Sequence, residues 1–139
     1  MKPFFIITKR LIAVAFAVVV IFFMILSSVF SVKNERIDGS TNQKRVEYIK
    51  NLGFEVDDAD VAFKQTVIPQ KFDNTYKQYN SLQKKSGFDL SKYKSKTVTV
   101  YTYPLVSGNR EAHIIIYNGV VIGGDVAEIS ADGSMSALK

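Results

Sequence analysis

Residues 11–30 form a run of twenty residues without a charge, and fourteen of them are Leu, Ile, Val or Phe. An α-helix rises about 1.5 Å per residue, so this run covers about 30 Å, the thickness of the hydrocarbon core of a bilayer. Lys9 and Arg10 precede the run, and no acidic residue lies before it. A short basic flank stays in the cytoplasm. The sequence therefore predicts a single-pass protein of the cell membrane, with residues 1–10 cytoplasmic, a transmembrane signal anchor at 11–30 that contacts the lipid bilayer, and the C-terminal part extracellular.

A cleaved signal peptide is the alternative interpretation, because a basic start and an apolar run serve both purposes. Residues 29–31, Val-Phe-Ser, are a tolerable cleavage site. The apolar region of a signal peptide is typically about 7 to 15 residues long, shorter than this run, which favours the anchor. Under both interpretations the remainder of the chain is exported.

The exported part is predicted to be a polar juxtamembrane linker, residues 31–41, followed by one extracytoplasmic domain, residues 42–139. The chain contains no cysteine, so no disulfide stabilises this domain outside the cell. Residues 33–139 hold fifteen Lys or Arg against thirteen Asp or Glu, without a basic run. This near balance of charge predicts no nucleic-acid partner.

The pattern of apolar residues predicts an α+β domain with two helices packed on an antiparallel sheet of three to five strands that ends in a β-meander. Thr41 is placed to cap a helix that ends before Gly53, and Asp73 is placed to cap a second helix that ends before Gly87. The predicted strands are residues 54–56, 61–68, 97–103, 111–117 and 120–129.

Asn118 and Gly119 lie between two β-branched runs, which is a strong signal for a two-residue hairpin. That turn pairs Tyr117 with Val120 and predicts that His113 pairs with Gly124. One face of the sheet is then expected to carry His113, Ile115, Tyr117, Val120, Ile122 and Val126. The other face is expected to carry Ala112, Ile114, Ile116, Val121 and Asp125.

Both of these faces are apolar near the turn, which a sheet with one solvated face does not need. The two helices can cover one face, and the second face needs loops, a neighbouring chain or a partner. A bulge at Gly123 and Gly124 that shifts the alternation is another solution, and so is a fold of the loop at residues 88–93 over the second face.

An uncovered face would be an interaction surface for an envelope protein or a wall component. The candidate residues are Ile114 and Ile116 on the sheet, together with Phe88, Asp89 and Tyr93 on the loop, which is polar and aromatic at once. The alternative is that this loop is a plug in which Phe88 and Leu90 are buried.

No catalytic, metal or cofactor site is predicted. His113 is the single histidine, and neither a Ser-His-Asp set nor a zinc site can be placed around it from sequence. Three aspartates at residues 57–60 are interpreted as a solvated turn rather than a calcium loop, and Gly123-Gly124-Asp125 lacks the rest of a nucleotide-binding fingerprint. The chain is thus predicted not to be an enzyme.

Two alternative functions stay open. One is a cell-wall polymer hydrolase that uses Asp125 with Glu128 or Asp89. The other is a structural subunit that holds a membrane complex together through its transmembrane helix.

Several segments together resemble one protein family. They include residues 45–56, residues 87–94 with the sequence Gly-Phe-Asp-Leu-Ser-Lys-Tyr-Lys, and residues 121–126 with the sequence Val-Ile-Gly-Gly-Asp-Val. The chain resembles the family catalogued as domain of unknown function 4830, small membrane-anchored proteins of Clostridia-like Gram-positive bacteria, over roughly residues 44–136. The resemblance implies a Gram-positive envelope location and transfers no activity or ligand.

Overall fold

The computed structural model describes residues 9–29 and 35–139. The chain divides into two compact units, Met1–Glu35 and Arg36–Lys139. The described part of the first unit contains one helix, α1, at Lys9–Val29.

Within the described residues, no helix combines the length and the apolar character that a membrane crossing requires. The predicted span therefore stays a prediction. Residues 1–8 of the predicted cytoplasmic segment, residue 30 of the predicted span and residues 31–34 of the predicted linker lie outside the described residues.

The second unit is an α+β domain, as predicted, and its five strands form one antiparallel sheet in the order β1-β2-β3-β4-β5. The short strand β5 was not predicted, and the predicted strand at residues 54–56 is reduced to a single bridge between Val56 and Leu105. The elements are α2 (Asn42–Asn51), β1 (Ala62–Val67), α3 (Asn74–Lys85), a 3₁₀ turn (Leu90–Tyr93), β2 (Thr97–Pro104), β3 (Arg110–Tyr117), β4 (Val120–Glu128) and β5 (Met135–Ala137).

The two helices of this unit begin and end where their caps predict. The Thr41 side chain accepts a hydrogen bond from the Lys44 backbone N–H, and the Asp73 side chain accepts one from the Tyr76 N–H. Each side chain satisfies a backbone donor that has no partner inside the helix. Gly53 follows α2 with a φ of 91°, the left-handed conformation that glycine adopts without a steric cost.

The two helices lie on opposite faces of the sheet, which corrects the expectation that both could share one face. Val46 and Ile49 of α2 pack in a core cluster with Ile114 and Ile116 of β3. Tyr76 and Tyr79 of α3 pack against a second cluster that contains Ile115, the residue between those two isoleucines. Because side chains alternate across a strand, the clusters lie on different faces, and each face has its own helix.

A β-bulge in β4 changes the predicted register. Tyr117 pairs with Val120 as predicted, but the register shifts between Ile115 and Ile116, which pair with Gly123 and Val121. Ile122 is therefore the extra residue, and every position after it changes face relative to a regular strand.

The predicted pairing of His113 with Gly124 is wrong, because His113 pairs with Asp125. Asp125 consequently lies on the face of His113, where the sequence pattern had placed Val126. Val126 lies in the core cluster under α2 instead. A bulge at Gly123 and Gly124 was one of the alternatives that the sequence left open, and the structure contains a bulge directly before this doublet.

Candidate functional site

Four polar side chains meet on the α3 face of the sheet, around the single histidine of the chain. Nδ1 of His113 lies 2.8 Å from Oδ1 of Asp125, and Nε2 lies 3.0 Å from Oε1 of Glu111. The Tyr79 hydroxyl donates a hydrogen bond of 2.7 Å to Oδ2 of Asp125. These residues form a continuous hydrogen-bonded chain from α3 through β4 to β3, which we call the His113 cluster.

Local structure explains how each member reaches this cluster. Glu111 and His113 are two residues apart on β3 and so share a face. The bulge brings Asp125 directly opposite His113 on β4. Tyr79 lies on the side of α3 that packs on the sheet, and the Gln83 side chain, one helical turn further on, accepts a hydrogen bond from the Gly124 N–H at 2.7 Å. That bond fixes α3 against the strand that carries Asp125.

Burial and the neighbouring charges shift the pKa values of His113 and Tyr79 in this cluster. Asp125 is only 1% exposed, so its carboxylate needs both of its partners. Its hydrogen bond to His113 raises the pKa of the imidazole above the ordinary value, and the negative charges of Asp125 and Glu111 add to this, whereas burial opposes it. Burial, with the charge of Asp125, raises the pKa of the Tyr79 hydroxyl, which therefore remains a hydrogen-bond donor.

A protonated imidazole that donates to two carboxylates has no lone pair with which to take up another proton. Both ring nitrogens of His113 lie within hydrogen-bond distance of a carboxylate group, so the protonated imidazole would donate to Asp125 and to Glu111 at once. Among the residues that the structure describes, no group of three His, Asp or Glu side chains is placed to hold a metal ion. The arrangement is thus suited to electrostatic binding and to orientation of Glu111.

The His113 cluster lies at one end of an open cavity of about 480 Å³. The floor of the cavity is the part of the sheet face next to α3, and Tyr76 and Tyr79 of α3 contribute to its lining. Its surface is mixed in character: Val98, Val100 and Ile115 are apolar, whereas Lys64, Thr66 and Thr102 are polar.

The five residues predicted as an interaction surface do not line this cavity. Ile114 and Ile116 are buried in the core beneath α2, so in this fold they are core residues and not an exposed face. Tyr93 packs edge-on against Tyr117, with ring centroids 5.6 Å apart, and Phe88 is half-buried against the α2-side core.

Asp89 organises its own loop. Its Oδ1 accepts hydrogen bonds from the Ser91 N–H, the Ser91 hydroxyl and the Asn80 side-chain amide. These bonds lower the pKa of Asp89 to about 2. With Leu90 fully buried behind it, the loop matches the plug interpretation that the sequence left open.

Two members of the His113 cluster, Glu111 and Tyr79, were not singled out from the sequence as members of a site. The pattern predicts Glu111 only as the first residue of a strand. The helical spacing of Tyr79 favours a residue at the edge of the core over a contact residue for a sugar or a peptide. The usable signal was the Gly123-Gly124 doublet, because a bulge there moves Asp125 next to His113. From sequence, Asp125 is a candidate hydrolase carboxylate and the last residue of an incomplete nucleotide-binding fingerprint.

The search of curated proteins and the search of solved structures each gave no match to this chain. One family model matches residues 48–126, which run from the end of α2 into β4 and include all four members of the His113 cluster. This match covers more than half of the chain and agrees with the family resemblance seen in the sequence. The chain belongs to the family described as Domain of unknown function (DUF4830).

Proposed function

We propose that this chain is a membrane-anchored binding protein of the cell envelope, and that the cavity beside the His113 cluster holds a segment of cell-wall polymer. Residues 11–30 would supply the anchor, and residues 42–139 would stand outside the cell. The uncharged run and its basic flank support the anchor and its orientation.

The observation that carries the binding role is the cavity itself. Its volume of about 480 Å³ falls in the range of small-ligand sites, about 300–1,000 Å³. Such sites combine an apolar surface with a few polar groups in fixed positions, and here Val100 and Ile115 supply the first while Glu111 and His113 supply the second.

The chemistry of the lining fits a polymer of sugars and short peptides. A sugar ring presents an apolar face that can rest on the valine and isoleucine floor or on Tyr76, and hydroxyl groups that can donate to Glu111. The Glu111 side chain is 31% exposed, so its carboxylate is held by His113 and still reaches solvent. Lys64 offers a cation for a carboxylate of the ligand.

Binding rather than catalysis is proposed because both ring nitrogens of His113 already lie within hydrogen-bond distance of a carboxylate group. A general base in this position would first have to lose its contact with Glu111.

Co-sedimentation of the full-length chain, in detergent micelles, with insoluble purified cell wall tests the proposal. We expect Thr102→Phe, which fills the cavity floor beside His113, to weaken binding at least tenfold. The matched control is Thr99→Phe on the same strand, which faces the opposite side of the sheet and should bind as the wild type does. Glu111→Gln should weaken binding several-fold.

Three outcomes would reject the proposal. These are a wild-type chain that stays in the supernatant, a Thr102→Phe variant that binds normally, and the release of soluble wall fragments, which would favour the hydrolase. Orientation is tested separately by a membrane-impermeant lysine reagent on intact cells. Labelling of the domain only after lysis would contradict the extracellular location.

A further inference from the structure

Strand β1 forms one edge of the sheet, and its outer side has no partner among the residues that the structure describes. All six of its residues, Ala62–Val67, are exposed. Phe63 is 69% exposed and Val67 is 57% exposed, which is a large exposure for apolar side chains on an edge strand. Charges, prolines or bulges normally protect the edge strands of native sheets from pairing with another chain, and Lys64 is the single charged residue within β1.

The backbone direction of β1 follows from the residue after it. The Ile68 N–H donates to the Lys96 carbonyl at 3.0 Å, at the end of the β1–β2 ladder. Peptide groups alternate in direction along an antiparallel strand, so Lys64 and Thr66 also bond toward β2. The N–H and C=O groups of Phe63, Gln65 and Val67 therefore point outward from the sheet.

We propose that a second copy of this chain pairs with this edge, with the two β1 strands antiparallel and Gln65 opposite Gln65 of the other copy. In this register the residues with outward peptide groups face one another, which gives about six hydrogen bonds between the strands. Phe63 lies opposite Val67 of the other copy, so each exposed apolar side chain covers the other. Lys64 lies opposite Thr66, and no like charges oppose each other.

Neighbouring registers are worse for identifiable reasons. A register centred on Lys64 places two lysines directly opposite each other, which is destabilising. A register centred on Thr66 brings Phe63 opposite Pro69, which has no N–H to donate. The near-palindromic order of Phe63, Gln65 and Val67 thus selects a second copy of this strand in one register.

The pairing joins the two sheets edge to edge around a two-fold axis perpendicular to the sheet. The cavities of the two copies then open on the same face of one continuous sheet. This inference depends only on the edge of the sheet at β1. A failure of the wall-binding proposal would therefore leave it unchanged, and the reverse is also true.

The absence of cysteine makes a cross-linking test clean. Single variants Lys64→Cys, Gln65→Cys and Thr66→Cys of the full-length chain are oxidised in membranes, and the covalent dimer is measured on a non-reducing gel. Directly opposite residues have Cα atoms about 5.5 Å apart, within disulfide range, whereas the two cysteines at 64 or at 66 would be about 8 Å apart. We expect at least five times more dimer from Gln65→Cys than from either neighbour.

Sedimentation of the full-length chain in micelles provides a second measurement. Gln65→Pro removes only an outward N–H and should convert the dimer to a monomer, whereas Gln65→Thr should leave the dimer intact. A maximum of cross-linking at position 64 or 66, equal cross-linking at all three positions, or a wild-type chain that is monomeric would overturn the proposal.

Discussion

Replacement of His113 by Gln should destabilise the domain strongly, because it removes the partner of a buried carboxylate. Asp125 is 1% exposed, and a hydrogen bond to such a charged group contributes about 1.5–3 kcal/mol. The contact of His113 with Glu111 adds at most about 1 kcal/mol, since that carboxylate is 31% exposed and screened by solvent. We therefore expect a loss of about 2–3 kcal/mol. For a domain of about 100 residues this lowers the melting temperature by roughly 10 to 20 °C.

The size of this loss should depend on pH with a definite sign. The pKa of His113 is raised in the folded state, chiefly by its hydrogen bond to Asp125, above the ordinary value of 6.5. The stabilisation is therefore complete below the unfolded-state pKa and is lost as the pH rises through the folded-state pKa. The His113→Gln variant should differ most from wild type near pH 6 and progressively less toward pH 9.

Thermal unfolding of the full-length chain, followed by the circular dichroism of its β-sheet, measures both effects. Glu111→Gln is the control, because it changes the partly exposed partner of the same imidazole and should cost less than about 1 kcal/mol. The reasoning is refuted if Glu111→Gln costs as much as His113→Gln, or if the difference between wild type and His113→Gln grows as the pH rises.

Two further pairs of substitutions test the packing of the domain. Gly124→Ala should cost about 2–4 kcal/mol, because the added Cβ would lie 2.6 Å from the His113 carbonyl oxygen. Gly53→Ala is the control and should cost about 1 kcal/mol, because only the positive φ of residue 53 opposes an alanine and no atom lies within 4 Å of the added Cβ. Equal melting temperatures for the Gly124→Ala and Gly53→Ala variants would contradict this prediction. Arg45 is buried and donates to the Tyr103 hydroxyl at 2.8 Å, so Arg45→Met should cost about 2–4 kcal/mol and Tyr103→Phe about half as much. Chemical denaturation of the double variant should show a loss smaller than the sum of the two single losses, because they share the Arg45–Tyr103 bond, but larger than that of Arg45→Met alone, because Tyr103 also donates to Asn42. Full additivity would show that the two residues act independently.

Most of the fold could be predicted because it depends on local chemistry. Thr41 and Asp73 mark their helices as caps, and the Asn118-Gly119 turn sets the register of its first pair without any tertiary information. The short strand β5 could not be found, since three residues carry too little periodicity to separate a strand from a loop.

The candidate site could not be predicted because it depends on one extra residue. Without the bulge at Ile122, the strict alternation of a strand places Asp125 on the face opposite His113. A glycine doublet shows that a bulge is possible, but its position is decided by packing that a single sequence does not display. Here Gly123 lies against Gln83 and Leu90 from outside the strand, and Gly124 lies against Leu138.

The sequence pattern of α3 also could not predict that this helix packs on the second face of the sheet. Both helices have apolar residues at helical spacing, and neither pattern states which face of the sheet it will cover. The apolar residues on both faces of β3 did predict that each face packs against another element. In the structure α2 packs on one face and α3 packs on the other.

The central claim is that Asp125 pairs with His113 on one face of the sheet and raises the pKa of its imidazole. Because the chain has a single histidine, its Hε1 resonance in the NMR spectrum can be assigned directly and reports the pKa of His113 in the full-length protein. The account predicts a midpoint above 6.5 in the wild type, a fall on Asp125→Asn, and a smaller change on Tyr79→Phe. A wild-type midpoint at or below 6.5, or a folded Asp125→Asn variant with an unchanged midpoint, would contradict it.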